Sequence, residues 1–315
     1  MHKRRSLLLV MTVAMAAALA ASASETTAIP DFSSVSTTWT HPAFPWFEPP
    51  ASGPGPITNL SRWAEQRPAG SAGSAGLPAG TVGISDYDQL VGDYKSPLLQ
   101  PWAADVVKHF GEISRAGVTF PNPSNQCWPH PPPFIFKQFT MQVIQEPNRV
   151  TLLYSGDHEV RRVRMNSSHP RQLKPSWYGD SIGHYEGDTL VIDTVGIKTD
   201  RPYAMQDLFG TPYTKKLHMV ERYRLRDYDE VKDALDRNYK ENWLFNGDVF
   251  SGHRGKFLQV EVTIEDAGVF TSPYTATMTY VPQKDPLAEG VCAENPHEYY
   301  NNKDSDVPKA AKPDF

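Results

Sequence analysis

From residue 136 to residue 281, apolar and polar residues alternate with a period of two in one segment after another. Successive side chains of a β-strand point to opposite faces, so this period indicates strands with one buried face. Turn-forming residues such as Ser155-Gly156-Asp157 and Glu186-Gly187-Asp188 stand between several of these segments. The pattern predicts eight strands, at Phe136–Gln145, Val150–Tyr154, Glu159–Asn166, Ser181–Tyr185, Thr189–Val195, His218–Arg226, Leu258–Glu265 and Ala276–Val281.

Strands that follow one another with mostly short connections favour a meander, in which neighbours in sequence are neighbours in the sheet. A sheet of eight strands removes its exposed edges by closing into a barrel, and a barrel of this size can enclose one small ligand. We therefore predict a mostly β protein, built as an antiparallel up-and-down β-barrel. A β-sandwich is the alternative that the same pattern allows.

Two segments have the period of a helix instead. In Pro101–Ala116, apolar residues recur every three or four positions from Trp102 to Ile113, and a glycine follows the segment. Tyr228–Trp243 has a similar spacing and lies between two expected strands. These patterns predict one or two helices beside the barrel, and we expect the second helix to lie over one of the barrel mouths.

The N-terminus has the three parts of a secretory signal peptide. A basic stretch at 2–5 precedes the uncharged apolar run Ser6–Leu19, and Ala21-Ser22-Ala23 supplies the small residues of a cleavage site. The alternative is a transmembrane anchor, which needs about 20 apolar residues, and this run is shorter. We expect a signal peptide at 1–23 and a periplasmic or secreted mature protein.

Composition divides the rest of the chain. Residues 24–100 are rich in proline, glycine, serine and alanine, which predicts a long irregular arm. Residues 101–300 are expected to form the barrel domain with its preceding helix, and 301–315 a C-terminal tail.

Cys127 and Cys292 are the two cysteines of the chain. In an oxidising compartment such a pair predicts one disulfide, and the lack of a Cys-x-x-Cys spacing argues against a redox pair.

Charge and hydropathy exclude some partners. The formal net charge is −5 and no basic stripe is present, which argues against nucleic acid because phosphate binding needs clustered lysines and arginines. After the expected signal peptide, no apolar run has membrane-spanning length, so we expect no membrane contact by the mature protein. A small-molecule ligand is the expected partner, and a homo-oligomer is compatible with the sequence.

The densest group of polar and aromatic residues lies at Pro175–Asp193. If Glu186-Gly187 forms a two-residue hairpin loop, Asp180 lies opposite Asp193 on one face of the sheet, and His184 shares that face. An imidazole oriented by a carboxylate is the minimum requirement for moving protons near neutral pH. We therefore predict His184 as a general acid or base oriented by Asp193. The structural alternative is a polar network that only fixes the strand register.

Further candidates lie on neighbouring segments. Glu221 shares the inward face of its strand with Tyr223, and we predict it as a second acid or base. Tyr185 or Tyr223 would donate a hydrogen bond to the ligand. Aromatic and polar side chains near these groups are the predicted ligand-binding residues: Trp177, Tyr178, Asp180, Tyr223 and His158.

Other kinds of chemistry find no motif in the chain. No two histidines stand two, three or four positions apart, so no local pair of metal ligands exists. Neither a Gly-x-Ser-x-Gly nucleophile motif nor a glycine-rich phosphate loop followed by a helix is present. We predict no metal and no cofactor.

The segment Trp177–Gly196 reads WYGDSIGHYEGDTLVIDTVG and resembles the central motif of a large family of poorly characterised secreted proteins of Gram-negative bacteria. The resemblance extends from about residue 101 to about residue 295. Further matches lie at Gln126–Pro129, at His158 with Val160–Arg162, at His218 with Glu221–Tyr223, and at Cys292–Asn295. This chain departs from the family by Tyr185, where members usually have tryptophan, and by the insertion at 228–255. The resemblance implies a lipocalin-like barrel and lyase chemistry on lignin-derived aromatic compounds.

These observations predict a cofactor-independent periplasmic enzyme that acts by proton transfer on a small phenolic substrate inside the barrel. Two alternatives stay open. The first is a non-catalytic carrier of a small apolar ligand, in which the ionisable residues are structural. The second is an envelope protein whose long proline-rich arm docks a partner.

Overall fold

In a computed structural model of the protein, the described residues are 29–32, 38–41, 47–48, 50–59, 90–115, 120–137, 140–157, 159–201, 204–241, 253–284, 286–287 and 290–292. The expected signal peptide at 1–23, much of the arm and the expected tail at 301–315 lie outside the described residues.

The strands close into one barrel, in the order β1 to β9 along the chain. Their bounds are Thr38–Thr40, Thr140–Glu146, Arg149–Tyr154, Val160–Met165, Asp180–Glu186, Thr189–Val195, His218–Arg226, Phe257–Glu265 and Tyr274–Gln283. The mostly β fold, the barrel and the eight strands expected from the alternation are confirmed. The first expected strand begins at Thr140 instead of Phe136, because Phe134–Lys137 forms a turn of 3-10 helix.

The ninth strand, β1, comes from the arm and closes the barrel. Thr38–Thr40 pairs with β9 on one side and with β2 on the other, both antiparallel. Trp39 is buried, and its Nε1 donates a hydrogen bond to the carbonyl of Phe32 at 2.9 Å. The sequence did not predict this strand, since three residues are too few for a period to be recognised.

The meander is interrupted at β4 and β5, which pair in parallel, with Val163 beside Ser181. A parallel pair requires the chain to return to its starting end, and residues 166–179 make this return. They bring Trp177 and Tyr178 to the end of the barrel that carries the turns at 155–159, 196–217 and 266–273. We call this end the disulfide end, because Cys127 and Cys292 join there.

The disulfide is formed as predicted, with the two Cα atoms 5.3 Å apart and 165 positions between the cysteines. It ties segment 120–130 to the C-terminal part of the described chain. At Cys292 the backbone N–H also donates to Asp157 Oδ1 at 2.7 Å, which fixes the β3–β4 turn against the same segment. Three pieces of chain distant in sequence are thus held together at the disulfide end.

The barrel interior is filled by inward-facing side chains. Alternate residues of each strand point inward, and their burial alternates accordingly, as in β7, where Met219, Glu221 and Tyr223 are fully buried. The largest fully buried inward groups are Tyr154, Arg161, Tyr223, Tyr280, Met141, Leu152 and Leu190. Each large apolar side chain removed from water stabilises the fold by about 1.5–3 kcal/mol, so this interior is the main core.

Both predicted helices are present. Helix α1, Pro101–Arg115, buries Val107, and Trp102 Nε1 donates to the carbonyl of Gly268 in the β8–β9 turn at 2.6 Å. Helix α1 therefore packs at the disulfide end.

Helix α2, Tyr228–Glu241, packs Val231 and Leu235 against Phe257 and Val281. These two strand residues are adjacent to inward-facing ones and so lie on the outer wall of the barrel. The expectation that this helix covers a barrel mouth is therefore wrong. Neither helix in the described part of the chain is long and apolar enough to cross a membrane.

Candidate active site

The cluster predicted from the β5–β6 hairpin lies on one face, but on the outer one. His184 pairs with Val191 and Asp180 with Val195, so the register is shifted by two residues from the expected one. A shift of two keeps every side chain on its expected face. The opposite face, which includes Ser181, is the buried one. His184 is exposed, and its Nε2 lies 3.0 Å from Glu186 Oε1, so the predicted orientation by Asp193 is wrong.

Asp193 contacts two other histidines on the outer wall. Nε2 of His218 lies 3.1 Å from each Asp193 oxygen, and Nε2 of His169 lies 3.0 Å from Oδ1. Nδ1 of His169 is in turn 2.6 Å from Asp180 Oδ2, and Asp180 forms a bidentate ion pair with Arg164. The hydrogen bond to Asp193 raises the pKa of His218. Burial acts to raise the pKa of Asp193, but the hydrogen bonds from His218 and His169 lower it overall. These five side chains thus form one continuous chain of polar contacts along the outer wall.

Glu221 points into the barrel as predicted, but its partner is a cation. Arg161 donates from Nη2 to Glu221 Oε1 at 2.6 Å and from Nη1 to Oε2 at 3.0 Å, and both residues are buried. The Tyr223 hydroxyl donates to Glu221 Oε2 at 2.7 Å. Burial, and then Glu221, raise the pKa of Tyr223. Tyr185 also faces inward, and its hydroxyl accepts a hydrogen bond from Gln145 Nε2 at 2.8 Å.

A different histidine, His130, occupies a buried polar site at the disulfide end. His130 Nδ1 lies 3.0 Å from Glu159 Oε2, and Nε2 lies 3.2 Å from the Ser124 hydroxyl. Ser124 is 8% exposed, and the other two residues are each 5% exposed. A hydroxyl, an imidazole and a carboxylate in this order form the arrangement by which a general base activates a nucleophile.

Glu159 is held in place by two further donors. The backbone N–H of His130 donates to Oε1 at 2.5 Å, and the Tyr178 hydroxyl donates to Oε1 at 3.4 Å. Burial, and then the nearby Glu159 carboxylate, raise the pKa of the Tyr178 phenol, which keeps it protonated as a donor. Because Nδ1 faces a carboxylate, it carries the hydrogen, and Nε2 is left as the acceptor for Ser124.

The local sequence fixes the loop that carries Ser124. Asn122 Oδ1 accepts from the backbone N–H groups of Ser124 and Asn125, at 2.9 and 3.2 Å, and Asn125 Oδ1 accepts from the Asn122 N–H at 2.8 Å. Asparagine favours such side-chain bonds to nearby backbone. Cys127 follows with a φ of 51° and enters the disulfide. The serine is therefore presented on a rigid turn.

An aromatic and cationic rim lies next to this site. Trp128 and Trp177 make an edge contact with centroids 5.9 Å apart. The guanidinium of Arg201 lies 4.5 Å from the Trp177 ring centroid, and Lys198 Nζ lies 5.7 Å from it. Arg201 Nη1 is shielded from solvent and has no hydrogen-bond partner among the described residues, while Nη2 donates to the Tyr213 hydroxyl at 2.5 Å. We call Trp128, Trp177, Lys198 and Arg201 the rim.

The structure thus separates the predicted site residues into three places. Asp180, His184 and Asp193 lie on the outer wall, Tyr185, Glu221 and Tyr223 lie in the interior, and Trp177 and Tyr178 lie at the disulfide end, whereas His158 lies outside the described residues. Ser124, His130 and Glu159 were not predicted as site residues. The hints in the sequence were two parts of the resemblance, since Gln126–Pro129 adjoins His130, and His158 and Val160 flank Glu159. Within the described ranges, no three histidine, cysteine or acidic side chains are arranged to hold a metal ion.

No protein-family model matches the chain, and comparisons with curated proteins and with solved structures give no match either. The resemblance of Trp177–Gly196 to a secreted family stays a prediction.

Proposed function

We propose that the protein is a cofactor-independent enzyme of an oxidising compartment, the periplasm or the exterior, in which His130 is the general base. The observation that carries the proposal is the position of this imidazole between the buried Glu159 carboxylate and the Ser124 hydroxyl. The Cys127–Cys292 disulfide supports the compartment, because such bonds persist where thiols are oxidised.

The geometry suits proton transfer at Nε2 of His130. When this nitrogen takes up a proton, the ring becomes an imidazolium, and Glu159 stabilises its charge at 3.0 Å through Nδ1–H. The carboxylate needs no rearrangement, since the backbone of His130 and the Tyr178 hydroxyl already hold it. A positioned acid–base group of this kind contributes about 10²–10⁴-fold to a reaction rate.

The rim supports a small aromatic ligand that carries an acidic group. Indole rings such as those of Trp128 and Trp177 stack with aromatic rings, and an arginine pairs with carboxylates in a bidentate manner. Arg201 suits this role because no carboxylate of the described residues lies within ion-pairing distance of it. Trp177 contacts Arg201, and its neighbour Tyr178 contacts Glu159, so a ligand on the rim lies beside the proposed base.

The proposal is tested with the secreted, disulfide-bonded protein and a panel of phenolic acids, their esters and lignin-type dimers. Binding is followed by tryptophan fluorescence, and turnover by chromatography of the products. His130→Gln and Glu159→Gln should each lower turnover by about 10²–10⁴-fold, while the affinity for the ligand changes little. His109→Gln and Glu112→Gln are matched controls on the exposed side of α1 and should retain full turnover.

Two outcomes contradict the proposal. If a converted substrate is found and His130→Gln turns it over at the parental rate, His130 is not the base. If every ligand that quenches the fluorescence is released unchanged, the protein is a carrier of small aromatic acids.

A further inference from the structure

We infer that Ser124 is a nucleophile and that the reaction is the hydrolysis of a carboxylic ester with an aromatic group. This inference rests on the proposed role of His130, and it adds the reaction class and the attacking atom. The basis is the hydrogen bond between His130 Nε2 and the Ser124 hydroxyl. Because of this bond, the first group from which His130 takes a proton is the serine and not the substrate.

The orientation of the hydrogen bond follows from the carboxylate. Glu159 accepts the hydrogen of Nδ1, and a neutral imidazole then has its lone pair at Nε2. The Ser124 hydroxyl is therefore the donor at 3.2 Å, and its oxygen becomes more nucleophilic as the proton moves to His130. A triad of this kind is recognised by geometry and not by sequence order, and its members here stand in the order Ser124, His130, Glu159.

A second buried serine shows what is particular to Ser124. Ser181 is 5% exposed, close to the 8% of Ser124, but its hydroxyl bonds to the Thr194 hydroxyl at 2.9 Å. A hydroxyl partner is far too weakly basic to remove a proton near neutral pH. Burial alone therefore does not activate a serine in this barrel, whereas the His130–Glu159 pair does.

The reaction is balanced without an oxidant or a cofactor. Ser124 Oγ attacks the ester carbonyl carbon while its proton passes to His130 Nε2. The bond between carbonyl carbon and alcohol oxygen then breaks, and the alcohol leaves with that proton. Water attacks the acyl group, gives a proton to His130, and the acid departs as Ser124 regains its hydrogen. One ester and one water yield one acid and one alcohol.

The test uses phenylmethanesulfonyl fluoride, whose benzyl group suits the rim and which forms a sulfonyl ester with an activated serine as fluoride leaves. Intact mass should increase by one adduct, and peptide mapping should place it on Ser124. The labelling rate should fall by about 10²–10⁴-fold in His130→Gln, and Ser181→Ala should label like the parent protein. Hydrolysis of 4-nitrophenyl acetate should be lost in Ser124→Ala, with circular dichroism confirming the fold.

The result that overturns the inference is a folded parent protein without an adduct at excess reagent, or with an adduct that persists in Ser124→Ala. The two proposals fail in different ways. If His130→Gln abolishes turnover and Ser124→Ala keeps it, the base stands and the nucleophile is wrong. If both variants retain turnover, the whole site is structural.

Discussion

Arg161 and Glu221 face each other across the barrel interior and form a bidentate ion pair, with nitrogen–oxygen distances of 2.6 and 3.0 Å. Burial alone would lower the pKa of Arg161, but Glu221 holds it well above its usual value, so Arg161 keeps its charge inside the barrel. Tyr223 donates a hydrogen bond to Glu221, and Arg161 donates one to the Tyr154 hydroxyl. Burial raises the pKa of Tyr154 to about 12. Arg161 holds both oxygens of Glu221 and Tyr223 holds one of them, which argues for a structural role of Glu221.

Removing one partner of this pair should strongly destabilise the barrel. Arg161→Met or Glu221→Gln leaves one buried charge unpaired, and we expect a loss of about 3–5 kcal/mol in the free energy of unfolding. The double variant Arg161→Met with Glu221→Met should lose less than either single variant, because no charge is left unpaired. Urea unfolding at pH 7 measures both quantities.

The matched control is the exposed pair of Arg149 and Glu146, whose side chains are 48% and 40% exposed. Glu146→Gln should cost below about 1 kcal/mol, as is usual for surface ion pairs. Equal losses in the two pairs would contradict the assignment of Glu221 to the core.

The alternation of apolar residues was enough to predict the barrel, because burial of one strand face imposes the period of two. It could not tell which face of the β5–β6 hairpin is the inner one. Thr189, Leu190, Val191 and Ile192 are all buried, so burial in β6 does not alternate with a period of two. The prediction that His184 and Asp193 share one face of the sheet was therefore correct, but that face lies on the outside of the barrel and not on its inside.

The site at the disulfide end could not be predicted for a different reason. His130 and Glu159 are 29 positions apart, and one lies in a proline-rich loop while the other precedes a strand. No periodic pattern relates such residues, because loop conformation is set by individual side-chain bonds such as those of Asn122. Ser124 does not stand in a Gly-x-Ser-x-Gly motif, which describes only one kind of turn.

Arg201 should select ligands by their charge. Arg201→Met removes the rim guanidinium, and we expect about 10–100-fold weaker binding of a phenolic carboxylate such as 4-hydroxybenzoate, in line with the worth of a hydrogen bond to a charged group. Binding of its neutral methyl ester should change little. Isothermal titration calorimetry measures both affinities.

Arg254→Met is the matched control, because this arginine also stacks on an aromatic ring, with its guanidinium 4.2 Å from the Tyr228 centroid, but beside α2. It should leave both affinities unchanged. If Arg201→Met weakens the acid and the ester equally, the rim recognises the ring alone.

Asp207 should make the fold less stable as the pH rises. Burial raises its pKa from the usual 3.8 to about 6, although its Oδ1 accepts from the backbone N–H groups of Phe209 and Thr211. A raised pKa means that the folded state favours the protonated form of Asp207. The stability that this form gives the fold is therefore complete below about pH 4 and is lost as the pH rises through 6. Asp207→Asn keeps the Oδ1 acceptor and should be about 3 kcal/mol more stable than the parent at pH 7.5, since each pKa unit corresponds to about 1.4 kcal/mol.

The difference between Asp207→Asn and the parent should disappear near pH 4, which unfolding curves at both pH values can check. Asp200→Asn, at a side chain that is 77% exposed, is the control variant. If the difference in unfolding free energy between Asp207→Asn and the parent is the same at both pH values, the pKa of Asp207 is not raised.

Opening the disulfide should affect the proposed site before it affects the barrel. The bond closes a loop of 165 positions, and chain entropy sets its contribution to stability at up to about 5 kcal/mol. In the double variant Cys127→Ser with Cys292→Ser, the turn that carries Ser124 is no longer linked to the segment around residue 292. The strands β7 and β8 keep all the backbone hydrogen bonds between them. Hydrogen exchange at backbone amides 124–130 should therefore accelerate more than at amides 219–223.

Labelling of Ser124 by the sulfonyl fluoride should slow in parallel, because the serine is no longer held against His130. Equal acceleration in both segments would mean that the bond stabilises the whole barrel and has no particular role in shaping the site.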